Sequence, residues 1–287
     1  MEKWSPAERF SSDPDPSSAI YLYCLARSPL GLSSEDISEE RGVDDKNPLL
    51  SWTFRDVVVV VSKVRREEFC GPEAENRMQD LAWMGPRACR HEAVIEKVMR
   101  FSPVLPARFA TLFSSLQSLE EFLKKHYASI RRFLNRVAGK DEWAVKGMLE
   151  RKKAKEAMLT ESLAGREQEL SGLSQGARYL LERRLGTGVE RELQASLQKI
   201  CEDLMQDLRP IAAPFLQRPV LSLDTEKGDR EMVMNCAFLV PRSAGSEFQK
   251  RISEADARHR GRGLNFEITG PWPPYSFSAS LWTSPKA

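Results

Sequence analysis

Glu142 to Leu149 reads EWAVKGML and Glu231 to Val240 reads EMVMNCAFLV. Both are strand-length runs rich in β-branched, aromatic and other apolar side chains. Working outward, Arg151 to Leu208 carries a helical pattern, and Arg218 to Leu223 is a second short strand closed by the turn-rich DTEKGD. Gly245 to His259 is again helical, and Leu264 to Thr269, LNFEIT, is a last strand. The order strand, helix, strand, strand, helix, strand is that of a ferredoxin-like unit. The expected fold class is therefore α+β, with a C-terminal modified ferredoxin-like β-α-β-β-α-β domain whose helical crossover is enlarged. Within the crossover Val189, Leu193, Leu197, Ile200, Leu204 and Leu208 form one apolar stripe. Gly172, Gly176, Gly186 and Gly188 mark breaks that would fold it into a hairpin or kinked pair, with Gly186-Thr187-Gly188 as the bend.

Upstream, Ile20 to Arg27, IYLYCLAR, predicts the first strand, and Ser28 to Leu49 has loop chemistry. RDVVVVVSKV, Arg55 to Val64, predicts a strand buried on both faces. Helical spacing between Pro72 and Phe101 is interrupted at Gly85-Pro86, which predicts a broken helix or a helix pair. PVLPARFATLF, Pro103 to Phe113, reads as a bent or edge strand. Leu119, Phe122, Leu123, Ile130, Phe133, Leu134 and Val137 define an amphipathic helix closed by Gly139. The expected division is a disordered lead at 1–19, an N-terminal α+β domain at 20–139, and the ferredoxin-like domain with a proline/aromatic tail at 140–287.

At 287 residues the chain suits two domains and needs no staple. Forty-three Lys and Arg against 41 Asp and Glu leave a charge of +2, too little to hold nucleic acid by bulk electrostatics. No run approaches the ~20 apolar residues of a membrane span. The acidic, proline-rich start lacks a signal-peptide core, and five scattered cysteines suit a reducing compartment; both predict a cytoplasmic address.

Chemistry-bearing patterns are sparse. Cys70, Cys89 and His91 are the one candidate metal cluster, but no fourth ligand stands at finger spacing, and no metal or other cofactor is expected. His91-Glu92 near Arg108 has the residue types for acid/base work, yet no catalytic motif accompanies it, so His91 is read as structural and the chain as a non-enzyme. Arg108 lies in an apolar strand and is expected to meet a carboxylate such as Glu142, or the carbonyl end of a helix. Arg258-His259-Arg260-Gly261-Arg262-Gly263 is either a grip for an acidic partner or a helix C-terminus, the latter preferred. Gly270-Pro271-Trp272-Pro273-Pro274-Tyr275-Ser276-Phe277 holds three aromatics on a stiff path, for packing or for a partner. Candidate partner contacts are Arg258, Arg260, Trp272, Pro273 and Tyr275. The ferredoxin-like alternative is a small-ligand or RNA-binding regulator, although the inner strand offers only Phe238 for stacking.

Five stretches carry a resemblance: YLYCLAR; Leu81-Ala82-Trp83-Met84 through Arg90-His91-Glu92-Ala93-Val94-Ile95; Val104-Leu105-Pro106-Ala107-Arg108-Phe109; Gly139-Lys140-Asp141-Glu142-Trp143-Ala144-Val145-Lys146; and the ending from Ile268 to Phe277. In these the chain resembles the gas vesicle protein family GvpL/GvpF, nearly throughout Ile20 to Phe277. The motifs are shared by both types, with an F-like member preferred. Ala110 departs from the family, which usually has glycine after the Arg-Phe pair. The resemblance implies a non-enzymatic two-domain α+β protein that helps build the gas-filled buoyancy organelle and contacts the shell protein GvpA and other accessory Gvp proteins. It implies a location at the gas vesicle, with the gas-facing surface expected for an F-type member, and in the cytoplasm. His91, Arg108, Phe109, Glu142 and Trp143 are its shared structural positions.

Overall fold

The computed structural model describes residues 17–31, 37, 41–166, 174–212, 214–220, 230–278 and 282, excepting the side chains of 177–187. Most of the expected lead, Gly172, and the end of the expected strand with its DTEKGD turn lie outside them. Two compact units are present: one takes the described residues up to Gly139 with those from Trp272 onward, the other Lys140–Pro271.

In the first unit, β1 (Ser18–Arg27) lies between β3 (Val57–Arg65) and β4 (Val104–Pro106). β2 (Leu49–Phe54) forms the outer edge beside β3, and β5 (Leu112–Phe113) also pairs with β1. All these pairings are antiparallel. The five-valine run is buried throughout, as its composition predicts, because alternate side chains enter different layers. Val58, Val60 and Val64 join Tyr21 and Tyr23 in a core with Val94, Ile95 and Val98. A bulge between Leu22 and Cys24 keeps Tyr23 and Cys24 in that same core. Helix Leu116–Val137 packs on β1, β4 and β5 and starts at a capping box between Ser115 and Ser118.

Sequence and structure differ in several places. β2 falls in LLSWTF, a segment assigned to no strand, and turns into β3 through Arg55 at positive φ. The helical break lies at Asp80, between Pro72–Gln79 and Leu81–Met99, and not at Gly85-Pro86. The Asp80 carboxylate accepts from Ala82 N at 2.9 Å, giving the second helix its N-cap. Pro86 is tolerated inside that helix because the carbonyl it leaves without a donor belongs to exposed Ala82, within reach of water.

The second unit has the sheet order β7-β8-β6-β9, formed by β6 (Lys140–Glu150), β7 (Phe215–Gln217), β8 (Arg230–Pro241) and β9 (Leu264–Trp272). β6 and β7 both run antiparallel to β8. Trp143, Val145, Met234, Cys236, Phe238 and Phe266 share a core with Leu193, Leu197, Leu204, Phe248 and Ile252 from the helices. The crossover is two helices, Arg151–Ala164 and Gln175–Leu208. The second runs unbroken through Gly176, Gly186 and Gly188, contrary to the expected breaks. Packing of its apolar stripe outweighs the cost of helical glycine, about 1 kcal/mol each. The short strand sits at 215–217, ahead of the expected Arg218 start; Pro219 cannot donate to a ladder, and the Asn235 amide instead donates to its carbonyl.

Candidate functional site

Two of the residues singled out in the sequence, His91 and Glu142, make buried internal contacts. His91, on helix Leu81–Met99, is buried between the rings of Tyr21, Tyr23 and Phe109. Ala107 O can only accept, so His91 Nε2 carries the proton and donates to it at 3.1 Å. Nδ1 then accepts from the Tyr21 hydroxyl at 3.0 Å, and that oxygen accepts from Ala110 N at 3.1 Å. Burial pulls the His91 pKa down from 6.5 to about 4, so the ring is neutral at pH 7. Helix, β1 and the 107–110 bend are joined by one relay in which both ring nitrogens are engaged. Ala110 adopts φ 61°, the left-handed region where glycine is at ease.

Arg108 corrects the sequence expectation. The bend after Ala107 turns it outward and exposes it, so it is not the partner of Glu142. Buried Glu142 on β6 is instead paired with Arg218, just past β7. Next to it, Trp143 supports the chain at Gly270, where φ is 134°. A Cβ there would stand 2.9 Å from Glu142 O and 3.1 Å from the Trp143 ring, so only glycine fits.

Of the five candidate partner residues, Arg258 and Arg260 belong to the second unit and Trp272, Pro273 and Tyr275 to the first. Arg258 donates to Glu254 O of its own helix, and Arg260 pairs with Asp256, whose other oxygen accepts from Phe266 N. This is the helix-end arrangement preferred from sequence: Gly263, at φ 82°, follows as the stop. The tail corrects the expected boundary, since residues from Trp272 onward belong with the first unit. There Pro273, Pro274 and Phe277 are buried, Tyr275 donates to Glu92 at 2.8 Å and Arg136 donates to Phe277 O at 2.8 Å. Trp272 keeps 39% of its surface exposed.

Sequence reading missed an open, partly apolar region of the second unit. β7 is a three-residue edge strand, with Leu216 39% and Val220 45% exposed beside it. Beneath β7 a groove of about 720 Å³ runs along helix Gln175–Leu208, floored by Leu197, Cys201, Met205, Phe215, Met234 and Cys236. The available signals were the stripe spacing of 197, 201 and 205 and the strand alternation of 234 and 236. Chemically the groove offers apolar and sulfur surface under a rim of glutamines with Glu202 and Arg209. Among the described residues no helix is long and apolar enough to cross a membrane.

By architecture this is an α+β protein of helices packed on antiparallel strand pairings, with His91 and Glu142 engaged in internal contacts. A family model described as gas vesicle synthesis protein GvpL/GvpF matches residues 19–279, and the chain belongs to that family. Gas vesicle protein L of a Streptomyces strain is 29% identical over 260 residues, covering 90% of this chain and 92% of the relative. Gas vesicle protein F of Dolichospermum flosaquae is 27% identical, over 74% of this chain and 84% of its own. The crystal structure of GvpF from Anabaena shares the fold at a TM-score of 0.65 and 21% identity, over 91% of this chain and 96% of that one.

Proposed function

We propose that the chain is a non-enzymatic accessory or minor structural protein of gas vesicle formation, one that binds the shell protein GvpA and other Gvp proteins while the organelle is assembled. The observation that carries this reading is the family match from residue 19 to 279, with relatives named as gas vesicle proteins along nearly the whole chain. The second unit is read as a modified ferredoxin-like domain. Its element order and the strand order β7-β8-β6-β9, antiparallel where β8 meets both neighbours, support that reading. The contact surface is assigned to the β7 edge, because a short edge with exposed Leu216 and Val220 can receive a strand or apolar face of a partner. The sites of action are the vesicle and the cytoplasm.

The test is co-purification of tagged full chain with co-expressed GvpA and with the other vesicle proteins. Recovery of GvpA, reduced several-fold by Leu216→Asp without a change in melting temperature, is the expected result. Failure to recover any vesicle component would overturn the proposal.

A further inference from the structure

Helix Leu116–Val137 of the first unit turns a face of one sign to solvent. After Glu121 the helix has no acidic residue, and its exposed cations stand in two pairs, Lys124-Lys125 and Arg131-Arg132, with small, exposed Ala128 between them. Two strand ends add cations to the same face. Arg27, at the end of β1, donates to Asn135 on the helix. Arg55, on the β2–β3 turn, places its guanidinium carbon 4.5 Å from the centre of the Tyr127 ring. Asp56 is the carboxylate set among them; it accepts from Tyr127 and, at 2.9 Å, from Arg131 Nε. Lys124 meets Glu120 at 3.4 Å, whereas exposed Lys125 and Arg132 pair with no acid among the described residues. The face is strongly basic although the whole chain carries a charge of only +2.

We propose that this face docks an acidic helical segment of a partner protein. The two cation pairs are seven residues apart, two helical turns or about 10.5 Å, and carboxylates two turns apart on a second helix repeat at the same interval. Ala128, between the pairs, lets that helix come close. Asp56 already displays the mode of recognition, a carboxylate held by Arg131, and guanidinium groups suit further carboxylates because their planar donors can bind both oxygens. The other polyanions fit less well. A single-stranded nucleic acid needs bare rings to stack on, but Phe54 and Tyr127 both lie under Arg55, at 5.5 and 4.5 Å. A lipid surface is held by inserted apolar side chains as well as charge, and none of the large exposed apolar residues lies on this helix. The surface belongs to the first unit, so it is distinct from the β7 edge of the second.

The test is fluorescence anisotropy with the full-length protein and a labelled synthetic helical peptide that carries glutamates two turns apart. Saturable binding is expected, weakening by about tenfold or more as salt rises from about 50 to 300 mM. A peptide of the same composition with its glutamates scrambled should bind several-fold more weakly. Lys125→Glu combined with Arg132→Glu should lower affinity by about tenfold or more with no change in melting temperature, since neither side chain has an internal partner to lose. Arg191→Glu combined with Lys250→Glu makes the same change of net charge on the second unit and should leave binding as it was. Lack of saturable binding, equal binding of the scrambled peptide, or equal losses in the two double variants would overturn the proposal. So would tighter binding to single-stranded or duplex DNA or to phosphatidylserine vesicles than to the peptide, or a dimer of the protein that the Lys125/Arg132 variant dissolves.

Discussion

A buried imidazole that uses both nitrogens is a structural device with a pH signature. The folded state holds the His91 pKa near 4 while the unfolded value is 6.5, so between these the unfolded chain binds the extra proton. The stability that His91 contributes is complete above pH 6.5 and is lost as pH falls toward 4, by about 3 kcal/mol in total. Urea midpoints at pH 7 and pH 4.5 should record this loss. His91→Leu should cost roughly 2–4 kcal/mol at pH 7, because Tyr21 and Ala107 O lose buried partners, and should flatten the dependence across that window. An unchanged pH slope in His91→Leu would remove the ring from the account. His91 was read as structural because no catalytic motif surrounds it in the sequence; in the structure its Nε2 donates to Ala107 O. Arg108 was misread because an apolar neighbourhood in sequence suggested burial, whereas the 107–110 bend turns the side chain out.

At the scale of elements, apolar runs predicted β1, β3, β6 and β8 with small shifts at their ends, since each carries its own burial pattern. β2 was hidden because LLSWTF mixes Ser and Thr into a half-buried edge, where alternation is weak. The long crossover helix overrides its glycines, which makes a direct test possible. Gly188 is exposed and helical, and a Cβ added there would meet no atom within 4 Å, so Gly188→Ala should stabilise the protein by about 0.5–1 kcal/mol. A loss of stability in thermal unfolding would mean that this position bends after all. Gly270 is the opposite case. Gly270→Ala should cost roughly 2–4 kcal/mol from left-handed strain and the clash with Glu142 O; a melting temperature equal to that of the parent would contradict the strut described for Trp143.

For the whole molecule, the order of elements in the C-terminal half was readable from periodicity, but the return of the tail to the first unit was not. Periodicity reports local structure, whereas Tyr275 meeting Glu92 spans 183 residues. The groove escaped notice for a similar reason: its lining residues come from a helix and strands whose facing is set only by tertiary packing. Family membership directs the functional reading to gas vesicles. The most direct test of the central claim is deletion of this coding sequence alone in its source cell, with vesicles counted by electron microscopy and plasmid complementation as control. The account predicts absent or stunted vesicles that complementation restores; a normal number of full-sized vesicles in the deletion strain would contradict it.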